Sequence, residues 1–280
     1  MKGTQPVRGG QEERALILWH SYLTGDPAQL DSKTKVVRRV FRRLPSDPRC
    51  RVCNAPFRGV GSIFVRLLGF RAGRSSLNPT LCDRCEVIVK QNQVGAEVPL
   101  TLLFADVRGS TSLAEEMGAS AFHRQINRFY TTCTEILIQT HALIEKMIGD
   151  EVAGMYVPGI AGPDHARKAV DAARALLAAT GHADPEGPWI RTGVGVHTGV
   201  GYVGAVGSSQ GVSDITVLGD VANTTARLAS EAAAGEILVS EAACRAAGLS
   251  PDRSEERQLQ LKGRNQSVTA RVIRVLDSAS

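Results

Sequence analysis

The stretch Val98-Pro99-Leu100-Thr101-Leu102-Leu103-Phe104-Ala105-Asp106-Val107-Arg108-Gly109 decides the fold. An apolar run of this length, closed by an acid and a turn-forming glycine, is the pattern of a buried strand, and it delivers Asp106 to the strand tip. Residues 141–157, HALIEKMIGDEVAGMYV, then read as a hairpin turning at Gly149-Asp150. Two carboxylates therefore stand at neighbouring strand tips, where hard cations and phosphates can reach them. Either motif alone could be a simple turn, since Asp and Gly are favoured there anyway. Both together, with a third run in register, point to a site.

That third run is Ile215-Thr216-Val217-Leu218-Gly219-Asp220-Val221-Ala222-Asn223-Thr224-Thr225-Ala226-Arg227. Asp220 is expected to cap the helix it opens. Asn223 and Arg227, four apart, then lie one above the other on one helix face. Between and beyond these runs, helical spacing is expected over 112–139, 163–179, 220–232 and 240–247. WIRTGVGVHTGVGYVGAVG, residues 189–207, suggests two glycine-bearing strands, and further strands are expected near 236–239, 257–262 and 268–275. The order β-α-β-β-α-β predicts an α+β, ferredoxin-like core. His197 reads as a satisfied structural histidine on a strand, and Cys133 and Cys244 as core thiols.

The 280-residue chain carries a formal charge of +5, and that figure conceals a boundary. Residues 1–97 hold 17 basic and 8 acidic side chains, a net of +9, while residues 98–280 hold 16 and 20, a net of −4. From Lys33 to Arg74 there are twelve basic residues against one acid, Asp47. Such a run is either a solvated basic helix face or an attraction to something anionic. The organisation expected is N-terminal helices over 1–45, a four-cysteine module over 46–96 and a larger domain over 97–280.

Within the basic part, Cys50-x-x-Cys53 and Cys82-x-x-Cys85 form two knuckles suited to one tetrahedral ion. The 28 residues between them exceed the commonest zinc spacing of about 15 to 20, so the insert 59–70, GVGSIFVRLLGF, is expected to supply a small core of its own. One structural zinc per chain is the leading expectation, ahead of an iron–sulfur or redox centre and of free structural thiols. QEERALILWHSYL reads as a helix with Leu16, Trp19 and Leu23 on its buried stripe. KTKVVRRVFRRL, residues 33–44, reads as a basic amphipathic helix with Val36, Val37, Val40, Phe41 and Leu44 on one face. Packing against its own domain or a partner helix is favoured over lying on an anionic membrane. No apolar run approaches the ~20 residues of a membrane span, and the start lacks a secretory h-region, so a cytoplasmic location is expected, with peripheral membrane association an option for the basic module.

Together the three runs around Asp106, Asp150 and Asp220 resemble the catalytic homology domain of class III nucleotidyl cyclases, over roughly residues 97–277. The resemblance implies that Asp106, Asp150 and the backbone carbonyl of Val107 hold two Mg²⁺ or Mn²⁺ ions. It implies that Asn223 orients the ribose, that Arg227 stabilises charge on the α-phosphoryl group, and that Lys262 contacts the terminal phosphates. Lys146 and Thr216 match the base-selecting positions; guanylyl cyclases resemble Glu and Cys there, so this pair favours ATP. The Thr variant resembles the subgroup associated with bicarbonate stimulation.

In that family, metal aspartates of one subunit face the base, ribose and phosphate residues of another, so a complete set in one chain implies a head-to-tail homodimer with two equivalent sites. The resulting expectation is an adenylyl cyclase regulated or localised by its N-terminal module, with an acidic partner or anionic membrane surface as candidates for that module. The alternatives are a guanylyl cyclase, a nucleotide-sensing or adaptor protein that no longer turns over, and a nucleic-acid-binding zinc protein, the last disfavoured for want of a reading helix.

Overall fold

A computed structural model describes residues 8–26, 28, 30, 32–45, 48–67, 69–70, 73–75, 78–92, 95–207, 213–250, 255–260 and 267–274. They fall into two compact units, one of residues 1–98 with 202–217 and one of residues 99–201 with 218–280.

The first unit carries α1 (Arg8–Thr24), α2 (Ser32–Arg43), α3 (Gly59–Leu67) and α4 (Asp83–Asn92), together with the start of β1 (Gly95–Val107), the end of β4 (Thr192–Gly207) and most of β5 (Ser213–Leu218). Trp19, Tyr22 and Leu23 of α1 are buried, and the Trp19 indole donates to the Val203 carbonyl at 2.9 Å. Leu16, expected on that stripe, is exposed, and Ala15 takes the inner position. α2 departs further from expectation: Phe41 is buried, whereas Val36, Val37 and Val40 are exposed. The insert also forms only part of a core. Gly61, Ser62 and Val65 of α3 turn inward, while Val60, Ile63, Phe64 and Leu67 face outward. Gly61 permits this, because a Cβ there would lie 3.1 Å from the Leu44 Cβ.

In the second unit the chain runs β1, α5 (Ser110–Met117), α6 (Ala119–Gln139), β2 (Leu143–Ile148), β3 (Glu151–Tyr156), α7 (Pro158–Ala161), α8 (His165–Ala179) and β4. After β5 come α9 (Asp220–Glu231), β6 (Glu236–Ser240), α10 (Glu241–Ala246), β7 (Glu256–Gln260) and β8 (Ser267–Arg274). Strands neighbour one another in the order β2-β3-β1-β4-β6-β8-β7, with β5 paired to β4. The first four form the 2-3-1-4 sheet of a ferredoxin-like βαββαβ core, as expected. The continuous helix anticipated over 112–139 is broken at Gly118, whose φ of 76° only glycine adopts freely, and which lies between α5 and α6. The two strands anticipated over 189–207 are a single long β4.

α6 and α8 cover the sheet through Phe129, Cys133, Leu137, Val170 and Leu176, all buried, each such side chain contributing roughly 1.5–3 kcal/mol by burial. α9 sits directly on β4. A Cβ at Gly195 would strike the backbone of α9, with the Thr225 carbonyl at 2.7 Å, and one at Gly193 would lie 2.5 Å from the Ala232 carbonyl. These glycines set how closely the helix bearing Asn223 and Arg227 approaches the sheet.

Candidate functional site

β1 and β3 pair antiparallel with Asp106 opposite Glu151, and the turn Gly149-Asp150 joins β2 to β3. Gly149 has a φ of 63°, the left-handed conformation a tight hairpin turn demands. The Val107 N–H donates to the Asp150 carbonyl at 3.1 Å, so the backbone itself ties the two acidic tips together. The Tyr130 hydroxyl donates to the Gly149 carbonyl at 2.8 Å and braces the turn from α6.

The Asp106 carboxylate is half-buried, and burial first, then the neighbouring Asp150 charge, raise its pKa against the lowering pull of Arg108. Glu151 is raised for the same first reason, with Asp106, Glu145 and Asp150 adding to it and Lys146 opposing. Crowded, partly dehydrated carboxylates of this kind are relieved by a divalent cation with a preference for oxygen ligands. Asp106, Asp150 and the Val107 carbonyl fit such ions chemically.

Arg108 is a member of the site that sequence reasoning missed. Its guanidinium pairs with the Asp106 carboxylate through Nη2 and donates through Nη1 to the Ser230 carbonyl of α9 at 2.8 Å. Arg108 lies in the turn just after β1, two residues from Asp106. The second anchor depends on how α9 packs and has no sequence signature.

Lys146 lies on β2 at an irregularity in the β2–β3 register, with its ammonium 3.7 Å from Glu151, 3.9 Å from Glu145 and 5.3 Å from the centre of the Phe104 ring. Asn223 is exposed on α9; Arg227, one turn on, pairs with Glu231 at 2.9 Å and keeps a buried Nε without a partner. No hydrogen bond or ion pair links Asp106 or Asp150 to Lys146, Asn223 or Arg227 among the described residues. Thr216 lies on β5 and is half-buried. Lys262 lies outside the described residues. Asp220 is the first helical residue of α9, and Gly219, at φ 117°, occupies the N-cap position expected for it. His197 is half-buried, shares a 2.7 Å hydrogen bond with the Ser240 hydroxyl, and has its pKa lowered by burial to about 4.

In the other unit Cys50, Cys53, Cys82 and Cys85 converge, with all four sulfurs within 4.8 Å of one another. Cys53 and Cys82 are 3.8 Å apart, too far for a disulfide and equal to the ~3.8 Å edge of a tetrahedron with Zn–S bonds of about 2.3 Å. The Cys82 N–H points at the Cys50 sulfur at 3.3 Å and the Cys85 N–H at the Cys82 sulfur at 3.4 Å, the donors a thiolate cluster needs. Contact with Cys53 holds the Cys50 thiol well below its ordinary value, while Cys50 pushes Cys53 up. Such a set needs a cation to be fully ionised.

A family model described as Adenylate and Guanylate cyclase catalytic domain matches residues 93–273. The chain belongs to this family. The chain is 28% identical to an adenylate cyclase of Anabaena cylindrica over 138 residues, 46% of this chain and 26% of that protein, so it spans about a quarter of that relative's length. Among solved structures, the cyclase unit resembles the guanylyl cyclase Cya2, with a TM-score of 0.57 and 25% identity over 64% of this chain and 92% of that one. It resembles the adenylyl cyclase CyaB from P. aeruginosa comparably, with a TM-score of 0.56 and 27% identity over 64% of this chain and 95% of that one.

Proposed function

We propose that this cyclase is an adenylyl cyclase that converts ATP to 3′,5′-cyclic AMP and pyrophosphate at sites shared between two copies of the chain. The observation that carries this reading is that one chain holds both halves of a site: a pair of acidic tips tied by the Val107–Asp150 backbone bond, and Asn223 and Arg227 one turn apart on α9. Two Mg²⁺ or Mn²⁺ ions held by Asp106, Asp150 and the Val107 carbonyl would supply the Lewis acidity that favours a 3′-alkoxide and neutralises triphosphate charge.

The chain's own groups do the rest. Asn223 of the second copy orients the ribose so that its 3′-oxygen lies in line with the α-phosphorus. The new O–P bond forms as the α–β bridging bond breaks, the 3′-hydroxyl proton is lost, and pyrophosphate leaves. Arg227, whose Nε is buried and unpartnered, donates to the α-phosphoryl oxygens as charge builds on them. Lys262 takes the terminal phosphates. The Lys146 ammonium donates to adenine N1, and the Thr216 hydroxyl accepts from the 6-amino group.

The N-terminal unit is assigned a structural zinc at Cys50, Cys53, Cys82 and Cys85 and a regulatory or localising role. No helix among the described residues is long and apolar enough to cross a membrane. Purified chain incubated with Mn²⁺ and either ATP or GTP tests the reading. Cyclic AMP in excess over cyclic GTP is expected; a preference for GTP would reassign the base, and no product from either would remove the catalytic assignment.

A further inference from the structure

The N-terminal unit contains an open cavity of about 790 Å³, within the size range of small-ligand sites. Its wall is basic. Lys35, Arg38, Arg39, Arg42 and Arg43 line it from α2, and Asn54, beside the first cysteine knuckle, closes one side. The spacing i, i+3, i+4, i+7, i+8 places these five cations along one helix face.

A solvated basic face is the ordinary explanation, and it fails on three observations. First, the face lines a concavity in place of convex surface. Second, Lys35/Arg39, Arg38/Arg42 and Arg39/Arg43 are like-charged i,i+4 pairs, each mildly destabilising to the helix. Favourable charge at the helix C-terminus accounts for Arg42 and Arg43 but not for the other three. Third, Arg38 Nη1 is buried without a hydrogen-bond partner, which a face open to water would not leave. The described acid in the lining, Asp26, already accepts the Ala28 N–H at 2.8 Å. The wall is also held in place: Asn54 Nδ2 donates to the Arg38 carbonyl at 3.4 Å, and the Asn54 N–H to the Cys50 carbonyl at 2.8 Å.

We propose that this cavity binds a phosphoryl-bearing anion, its oxygens taken by the planar guanidinium groups of Arg38, Arg39 and Arg42. Forked arginine donors match phosphate oxygens, and several converging on one cavity suit a multiply charged group better than a carboxylate. The anion removes the mutual repulsion along α2, and through Arg38 and Asn54 its binding is felt at the cysteine knuckle. The source of the phosphate is either a soluble polyphosphorylated molecule or a phospholipid headgroup.

The test uses the full chain and needs no turnover, so it stands apart from the cyclase reading. Sodium tripolyphosphate is titrated calorimetrically without added divalent cation, and co-sedimentation is measured with phosphatidylcholine vesicles with and without phosphatidic acid. Saturable binding is expected in one arm, and the arm identifies the source. Arg39→Gln/Arg42→Gln should weaken it at least about tenfold, while Lys33→Gln/Arg66→Gln, which removes equal charge from exposed positions off the cavity, should change it by less than about twofold. These are exposed side chains, and unchanged metal content and circular dichroism verify the fold. Absence of binding in both arms, or equal weakening by the two double variants, overturns the proposal.

Discussion

Arg108 pairs with the carboxylate of Asp106 while anchoring its other arm on the carbonyl of Ser230, so one side chain ties the tip of β1 to the end of α9. The same cation that keeps Asp106 ionised also competes with any metal for it. Arg108→Gln is expected to tighten Mn²⁺ binding by about three- to tenfold, read by calorimetry. It should also loosen α9, seen as faster amide exchange around Ser230. Weaker metal binding would mean that Arg108 orients Asp106 for the ion instead of opposing it.

In the proposed reaction, the acid limb of activity follows from Asp106. Burial and the Asp150 charge raise its pKa, so the carboxylate the metal needs is lost at a higher pH than an ordinary aspartate would lose it. Mn²⁺ affinity should fall with decreasing pH, and do so at a higher pH than for an ordinary aspartate site. Arg108→Gln should move that limb higher still, and a limb that stays put would detach it from Asp106.

Stability at low pH is set elsewhere, by Glu236. Burial alone would raise this carboxyl, but hydrogen bonds from Arg257, the Ala233 N–H and Arg274 override it and hold it at about 2. The folded pKa lies below the unfolded one, so the contribution is present above the unfolded value near 4.5 and is lost as pH falls towards 2. The partners are partly exposed, which reduces the contribution to on the order of 2 kcal/mol. Thermal melts between pH 5 and pH 2 should show a loss of about this size in the parent, with a correspondingly smaller slope in Glu236→Gln.

Cys82→Ser should abolish binding of the zinc proposed for the N-terminal unit. The buried cluster has few other means of keeping four sulfurs together, and a structural metal contributes folding free energy directly. Elemental analysis is expected to fall from about one zinc per chain towards none, with proteolysis then starting within residues 48–92. A parent chain carrying no metal would remove the assignment.

The fold was largely legible because its strongest signals are local. The apolar run ending at Asp106 and the Gly149-Asp150 turn need only chain-neighbour chemistry to be read, and both stand where the pattern put them. Gly118 was passed over, since helical periodicity continues across it and nothing in the pattern reveals a positive φ. The α2 valines misled for a related reason: an amphipathic pattern says which residues share a face, not whether anything covers it. Of the site, acids and cations could be named from motifs. The Arg108–Ser230 anchor could not, because it depends on how closely Gly193 and Gly195 admit α9 to the sheet.

The central claim is that Asp106 and Arg227 act on one substrate from different copies of the chain. Asp106→Ala and Arg227→Ala chains should each be nearly inactive alone. Mixed in equal amounts and allowed to exchange, they should recover about a quarter of the parent cyclic AMP formation, since half the dimers are mixed and each restores one of its two sites. Recovery near that level is the predicted result; no recovery from two folded, dimeric variants would contradict the account.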